Sequence, residues 1–146
     1  MVATTTLLLL ACSEGRMYDT SVDVDADAWT PTDTLCYPMR VESVPSPRYP
    51  LRRDYPCRLS LAVRSECVYP MADLIVHVRL QDHTYRVALP LGDEEGRPTG
   101  SWSSTQVKEF DVTQCDFVFP DTGSYVMQIW PDREVQHILS VTATLH

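Results

Sequence analysis

The chain has 146 residues, with 20 acidic and 12 basic side chains giving a formal net charge of −8. That length fits one domain, and an apolar fraction of 44% fills one modest core, which argues against a multidomain enzyme and against wholesale disorder. The single Lys and the dispersed Arg residues form no basic stripe of the kind that binds phosphate backbones, so nucleic acid is excluded as a partner.

The first element is an apolar run, MVATTTLLLLA over residues 1–11, far short of the roughly 20 residues a membrane-spanning helix needs. A short apolar segment ending in a small residue reads as an export signal. Here it ends in Leu9-Leu10-Ala11-Cys12, which resembles the bacterial lipobox, in which the cysteine thiol receives a diacylglycerol and becomes the mature N-terminus. A thiol suits that role because its thiolate is a strong nucleophile. Cys12 is thus the expected lipidation site, and its covalent lipid the only expected attached group. No Lys or Arg precedes Arg16, so a start upstream is expected. The lipid holds the chain to a membrane without spanning it. Ser13-Glu14 hints at a surface-export signal, but Gly15-Arg16 breaks it, so the reading is an envelope protein facing the periplasm.

Residues 12–21 read as the lipidated N-terminus and a tether, and residues 22–146 as one domain. From Val22 to Ala28 carboxylates alternate with small apolar residues, the period of a strand. Leu35 to Val44 is a second strand that Pro38 confines to an edge or splits. Residues 45–56 are Pro-rich and irregular. Cys57, Leu59, Leu61 and Val63 then share one parity, as do Leu74, Val76, Val78 and Leu80, with His77 and Arg79 turned away. Residues 81–84 connect this strand to Tyr85, Val87, Leu89 and Leu91, a predicted hairpin. After a polar loop from Gly92 to Gly100 come a strand at Val107–Val112, the apolar Phe117-Val118-Phe119, and a turn at Asp121-Thr122-Gly123. Tyr125, Met127 and Ile129 follow, and Leu139, Val141, Ala143 and Leu145 close the chain. No window carries a helical stripe. About seven or eight short strands punctuated by Pro and Gly predict an all-β, antiparallel sandwich of the jelly-roll or immunoglobulin-like kind.

Few residues propose chemistry. Asp23, Asp25 and Asp27 resemble the opening of a calcium loop, but that loop needs Gly at its sixth position and Glu at its twelfth, where Ala28 and Thr34 stand. A solvated face is the reading, and no metal site is expected. Four cysteines besides Cys12 remain, namely Cys36, Cys57, Cys67 and Cys115. In an oxidising compartment they allow two disulfides in three connectivities, or stay as buried structural thiols. No Gly-flanked nucleophile elbow, P-loop or dinucleotide fingerprint occurs, so no catalytic residue is assigned. Trp29, Trp102 and Trp130 suit either core packing or a sugar-stacking platform. Trp130 has the parity opposite to its strand's apolar residues, and with Trp102 it marks a candidate partner or glycan surface.

Several stretches in order resemble one family, the gliding-motility lipoprotein GldH family of Bacteroidetes. They are the lipobox at Cys12, Tyr18-Asp19, Trp29 with Asp33, the strand from Tyr55 to Arg64, and Tyr69-Pro70 ahead of Leu74. Gly100-Ser101-Trp102 and the segment Phe119-Pro120 to Gly123, Tyr125 and Ile129 complete the series. Pro131-Asp132 and His137 depart from the family pattern near the C-terminus. The resemblance implies a lipid-anchored, non-catalytic accessory of gliding motility and the linked type IX secretion machinery, with other envelope proteins as partners. The alternative is a carbohydrate-binding β-sandwich lipoprotein.

Overall fold

The computed structural model describes residues 18–25, 27–43, 51–52, 57–66, 70–102 and 107–146; for residues 52, 102 and 107–117 it describes the backbone alone. Among them are twelve strands: β1 (Tyr18–Asp23), β2 (Ala28–Trp29), β3 (Leu35–Glu42), β4 (Leu51–Arg52), β5 (Cys57–Glu66), β6 (Leu74–Leu80), β7 (His83–Leu89), β8 (Ser101–Trp102), β9 (Val107–Phe117), β10 (Gly123–Pro131), β11 (Val135–Gln136) and β12 (Ile138–Leu145). Four of these are two-residue segments, which leaves eight strands of ordinary length. One five-stranded sheet runs β1-β12-β5-β9-β8 and a second runs β4-β3-β10-β6-β7, with β2 and β11 pairing separately. Every pairing is antiparallel except β3 with β4. The fold is all-β, two antiparallel sheets packed as a sandwich.

Period-two patterning sets which side chains meet between the sheets. Cys57, Leu59, Leu61 and Val63 of β5 point inward with Val141, Ala143 and Leu145 of β12. Across from them lie Tyr37, Met39 and Val41 of β3, Tyr125, Met127 and Ile129 of β10, and Leu74, Val76 and Val78 of β6. One polar contact crosses the core, where the Tyr37 hydroxyl donates to the Val141 carbonyl at 2.7 Å, tying β3 of one sheet to β12 of the other. Burial raises the Tyr37 phenol far above its ordinary value, with the neighbouring Tyr18 and Cys36 adding to the shift, so the group stays a neutral donor.

Four sequence expectations are corrected by the register. The first strand starts at Tyr18 and ends at Asp23, so residues 18–21 belong to the sandwich and not to a tether; β1 pairs residue for residue with β12, from Tyr18 opposite Leu145 to Asp23 opposite Ser140. Asp25 and Asp27 lie beyond its end, although both are exposed like Asp23 and the Val24 amide still reaches the Leu139 carbonyl at 2.9 Å. The two predicted pieces around residues 107–119 form one strand to Phe117, in which Gln114 is bulged: Leu59 faces Cys115 while Ser60 faces Thr113. In β12, a register shift between Ile138 and Ser140 leaves Leu139 half-buried and places Ile138 and Ser140 in buried positions.

Pro38 does not interrupt β3. Its carbonyl accepts from the Tyr18 hydroxyl at 2.9 Å, away from the β10 ladder, and a strand residue's nitrogen points to the same side as its carbonyl. The missing N–H therefore falls on the flank where β4 pairs only with Val41 and Glu42. The β6–β7 hairpin closes through Gln81-Asp82, with Leu80 opposite His83 and Gln81 at φ 55°. Trp29, buried, donates its indole N–H to the Asp33 carbonyl at 2.7 Å and so fixes the turn that leads into β3.

Candidate functional site

Of the residues singled out in the sequence, residues 1–17, including Cys12, and Cys67 lie outside the described residues, as do the side chains of Cys115 and Trp102. Cys36 is an exposed free thiol on the outward face of β3. Cys57 is buried, and loss of solvent pushes its thiol up to about 11, so it stays protonated and packs as a small apolar group. Trp29 is core. Trp102 and Trp130 belong to different sheets, so they do not share one sheet face.

Trp130 is the informative one. It stands on the outward face of β10, directly across from His77 of β6, and the two rings stack with centroids 5.5 Å apart and planes 18° from parallel. The Asp132 amide donates to the Ile75 carbonyl at 2.9 Å, in register with Pro131 opposite Val76, so the ladder runs one residue past β10 and Asp132 follows Trp130 at the next outward position. There the Asp132 carboxylate lies 2.8 Å from His77 Nε2. The hydrogen bond from His77 holds the Asp132 carboxyl below its ordinary range, helped by Arg86 and by Arg133. The carboxylate thus fixes the imidazole, and the imidazole braces the indole.

The same face continues along the strands. Gln128 of β10 faces Arg79 of β6, which faces Thr84 of β7; one row over, His77 faces Arg86. Toward the start of β10 a shallow hollow of about 540 Å³ is lined by Arg79, Gln81, Thr122, Ser124, Val126 and Gln128. Val126 is half-exposed there, one of two large apolar side chains open to solvent among the described residues.

A second concavity lies at one end of the sandwich, about 440 Å³ between Glu66, Met71 to Leu74, Leu91 and the segment Arg133–Ile138. His137 borders it with φ 71°, its carbonyl accepting from the Glu66 amide at 2.9 Å and from the Ser65 hydroxyl at 3.1 Å. Asp25, Asp27, Glu66 and His137 also edge an adjoining hollow, yet among the described residues no three acidic, His or Cys side chains converge as a metal-binding group.

Chemically, the His77–Asp132 pair supplies a base and its orienting carboxylate. Among the described residues no Ser, Thr or Cys hydrogen-bonds His77, so no nucleophile completes that arrangement. What the face offers is a partly buried aromatic plane, guanidinium groups and uncharged hydrogen-bonding side chains. Sequence parity identified His77 and Trp130 as outward. The partnership with Asp132, 55 residues from His77, has no local signal, because it depends on the β6–β10 register.

No family model matches the chain, and no curated protein matches it. Among solved structures the chain is similar to the CBM35 from Cellvibrio japonicus Abf62, at 13% identity and a TM-score of 0.39, covering 88% of this chain and 96% of that one. A superposition that loose carries no argument about function.

Proposed function

We propose that this chain is a lipid-anchored protein of the bacterial cell envelope, similar to the GldH family, and that it serves gliding motility or the linked type IX secretion machinery through protein–protein contacts, without catalysis. The observation that carries this reading is Leu9-Leu10-Ala11-Cys12 followed, in order, by the motifs that resemble that family. Burial of the acyl chains attached at Cys12 contributes about 0.8 kcal/mol per methylene, enough with more than one chain for stable attachment. Residues 1–11 carry no charged side chain, so the whole −8 belongs to the part that follows. That acidity repels anionic headgroups near the anchor and turns the domain's strands and loops toward partners in place of the bilayer. Labelled fatty acid should enter the wild-type chain and not Cys12→Ala; equal labelling of both rejects the anchor. Deletion in the native host should impair secretion, surface assembly or spreading, and capture of the intact lipoprotein from its own membranes should retain components of that machinery.

A second reading, a sugar-binding sandwich, is favoured by one feature, the outward, partly buried Trp130 indole stacked on His77. Binding to a glycan array that survives Trp130→Leu would remove this platform.

A further inference from the structure

We infer that the outward face of the sheet β4-β3-β10-β6-β7 binds an acidic glycan, a sugar chain bearing carboxylates, laid along β10 and β6 with one ring against Trp130. This rests on the sugar-binding reading and names its ligand class.

The platform is prepared in advance. One side of the Trp130 indole is taken by His77, and His77 is fixed by Asp132. On the other side, β3 begins at Leu35, which pairs with Ile129, so no β3 residue stands paired with Trp130. An aromatic plane braced from one side and unpaired on the other suits the apolar face of a sugar ring, and little side-chain freedom is lost on binding.

Charge selects the ligand. The chain as a whole carries −8, yet the outward positions of β6, β7 and β10 hold Ile75, His77, Arg79, Thr84, Arg86, Ala88, Ser124, Val126, Gln128 and Trp130, with no Asp or Glu among them. Asp132, at the margin, is already engaged by His77. Arg79 donates Nε to the Gln81 carbonyl at 3.3 Å; neither Arg79 nor Arg86 makes a direct ion pair among the described residues, and Arg86 acts on the Asp132 carboxylate through its field alone. At the β3 side of this face Arg40 is held by Glu42, whereas Arg79 and Arg86 are each able to take a carboxylate in a two-pronged hydrogen bond, a specific complement to a uronate. They sit in successive rows about 7 Å apart along β6, two residues at roughly 3.4 Å each. Trp130 lies in the row of Arg86, and the hollow lined by Gln81, Thr122, Ser124 and Gln128 adjoins Arg79, offering uncharged partners for ring hydroxyls.

An acidic peptide fits less well. β10 and β6 are each paired on both sides, so a strand could be added only at the outer edge of β7, two strands away from Trp130.

The test uses the full chain in detergent and titrates oligogalacturonate, oligoglucuronate and oligomannuronate against neutral oligosaccharides of matched length and poly-glutamate, by calorimetry. The expected result is preference for at least one oligouronate over its neutral counterpart and over poly-glutamate. Arg79→Gln with Arg86→Gln should weaken that binding tenfold or more at low salt, with an unchanged melting temperature, and Trp130→Leu should weaken uronate and neutral sugar alike. Undiminished uronate binding by the double Arg variant, or poly-glutamate binding as tight as uronate, overturns the inference. Neutral sugar bound through Trp130 with no preference for carboxylate overturns the inference and leaves the sugar-binding reading standing. Absence of binding to every sugar tested overturns both.

Discussion

Single hydrogen bonds between distant residues do much to fix this molecule. The Tyr37 hydroxyl reaches the Val141 carbonyl of the opposite sheet in a fully buried site. Tyr37→Phe keeps the ring and deletes only that donor, so it should lower stability by about 1–2 kcal/mol in urea unfolding, the usual result of removing a buried hydrogen bond. A change near zero would mean that the hydroxyl contributes nothing to joining the sheets. Asp132 is the corresponding case on the surface. Its folded-state pKa is depressed, first by the His77 hydrogen bond, so its contribution is complete above the ordinary carboxylate range near 3.9 and is lost as pH falls through the lower folded value. NMR titration of the Asp132 carboxyl should give a midpoint below that range in the wild type and a higher one in His77→Ala. An unmoved midpoint would break the link between Asp132 and the stacked pair.

At the level of elements, loops are held as firmly as strands where backbone meets backbone. In the loop from Gly92 to Gly100, the Asp93 carboxylate accepts from the amides of Glu95 and Arg97, both at 2.9 Å, and those bonds, that to Arg97 first, hold its pKa down. Gly96 then adopts φ +83° and presents its carbonyl to the Met71 amide at 2.8 Å. A Cβ at Gly96 would lie 2.6 Å from Pro70 Cβ, in a backbone region that L residues enter at a penalty of roughly 1–2 kcal/mol. Gly96→Ala should therefore lower the unfolding free energy by at least about 1 kcal/mol, measured by chemical denaturation, and should loosen the contact between this loop and residues 70–71. Gln81 is the opposite case. It holds φ 55° in a two-residue hairpin turn where glycine is the favoured residue. Gln81→Gly should leave stability unchanged or raise it by a few tenths of a kcal/mol, because relief of that strain is set against greater freedom in the unfolded chain.

Across the whole molecule, the sandwich depends on closing its first sheet with a strand from the far end of the sequence. β1 pairs with β12 over its six residues, and Tyr18 also reaches Pro38 of the second sheet. A chain begun at Gly15 retains every one of these contacts and should melt within a few degrees of the full-length protein. A chain begun at Asp25 loses β1 and leaves β12 as a bare edge with unpaired backbone groups, so it should melt at a lower temperature and associate on concentration. Equal melting of the two would show that β1 is dispensable.

Alternation by itself determined the interior of this protein. Parity alone identified the inward residues of β5, β6 and β10 and the outward His77, Arg79 and Trp130, because a strand's two faces follow directly from residue order. Turn residues likewise marked the β6–β7 hairpin and the entry to β10. Register was not legible. The bulges at Gln114 and at Ile138–Ser140, the start of β1 at Tyr18 and the pairing of β10 with both β3 and β6 arise from strands finding neighbours far away in sequence. The candidate site belongs to that second category. Sequence supplied an outward Trp and an outward His, while only the tertiary structure set His77 across from Trp130, carried the β10–β6 register on to Asp132 so that its carboxylate pins the imidazole, and aligned Arg79 and Arg86 beside them. Pattern decides which face a side chain takes; pairing decides what it meets there.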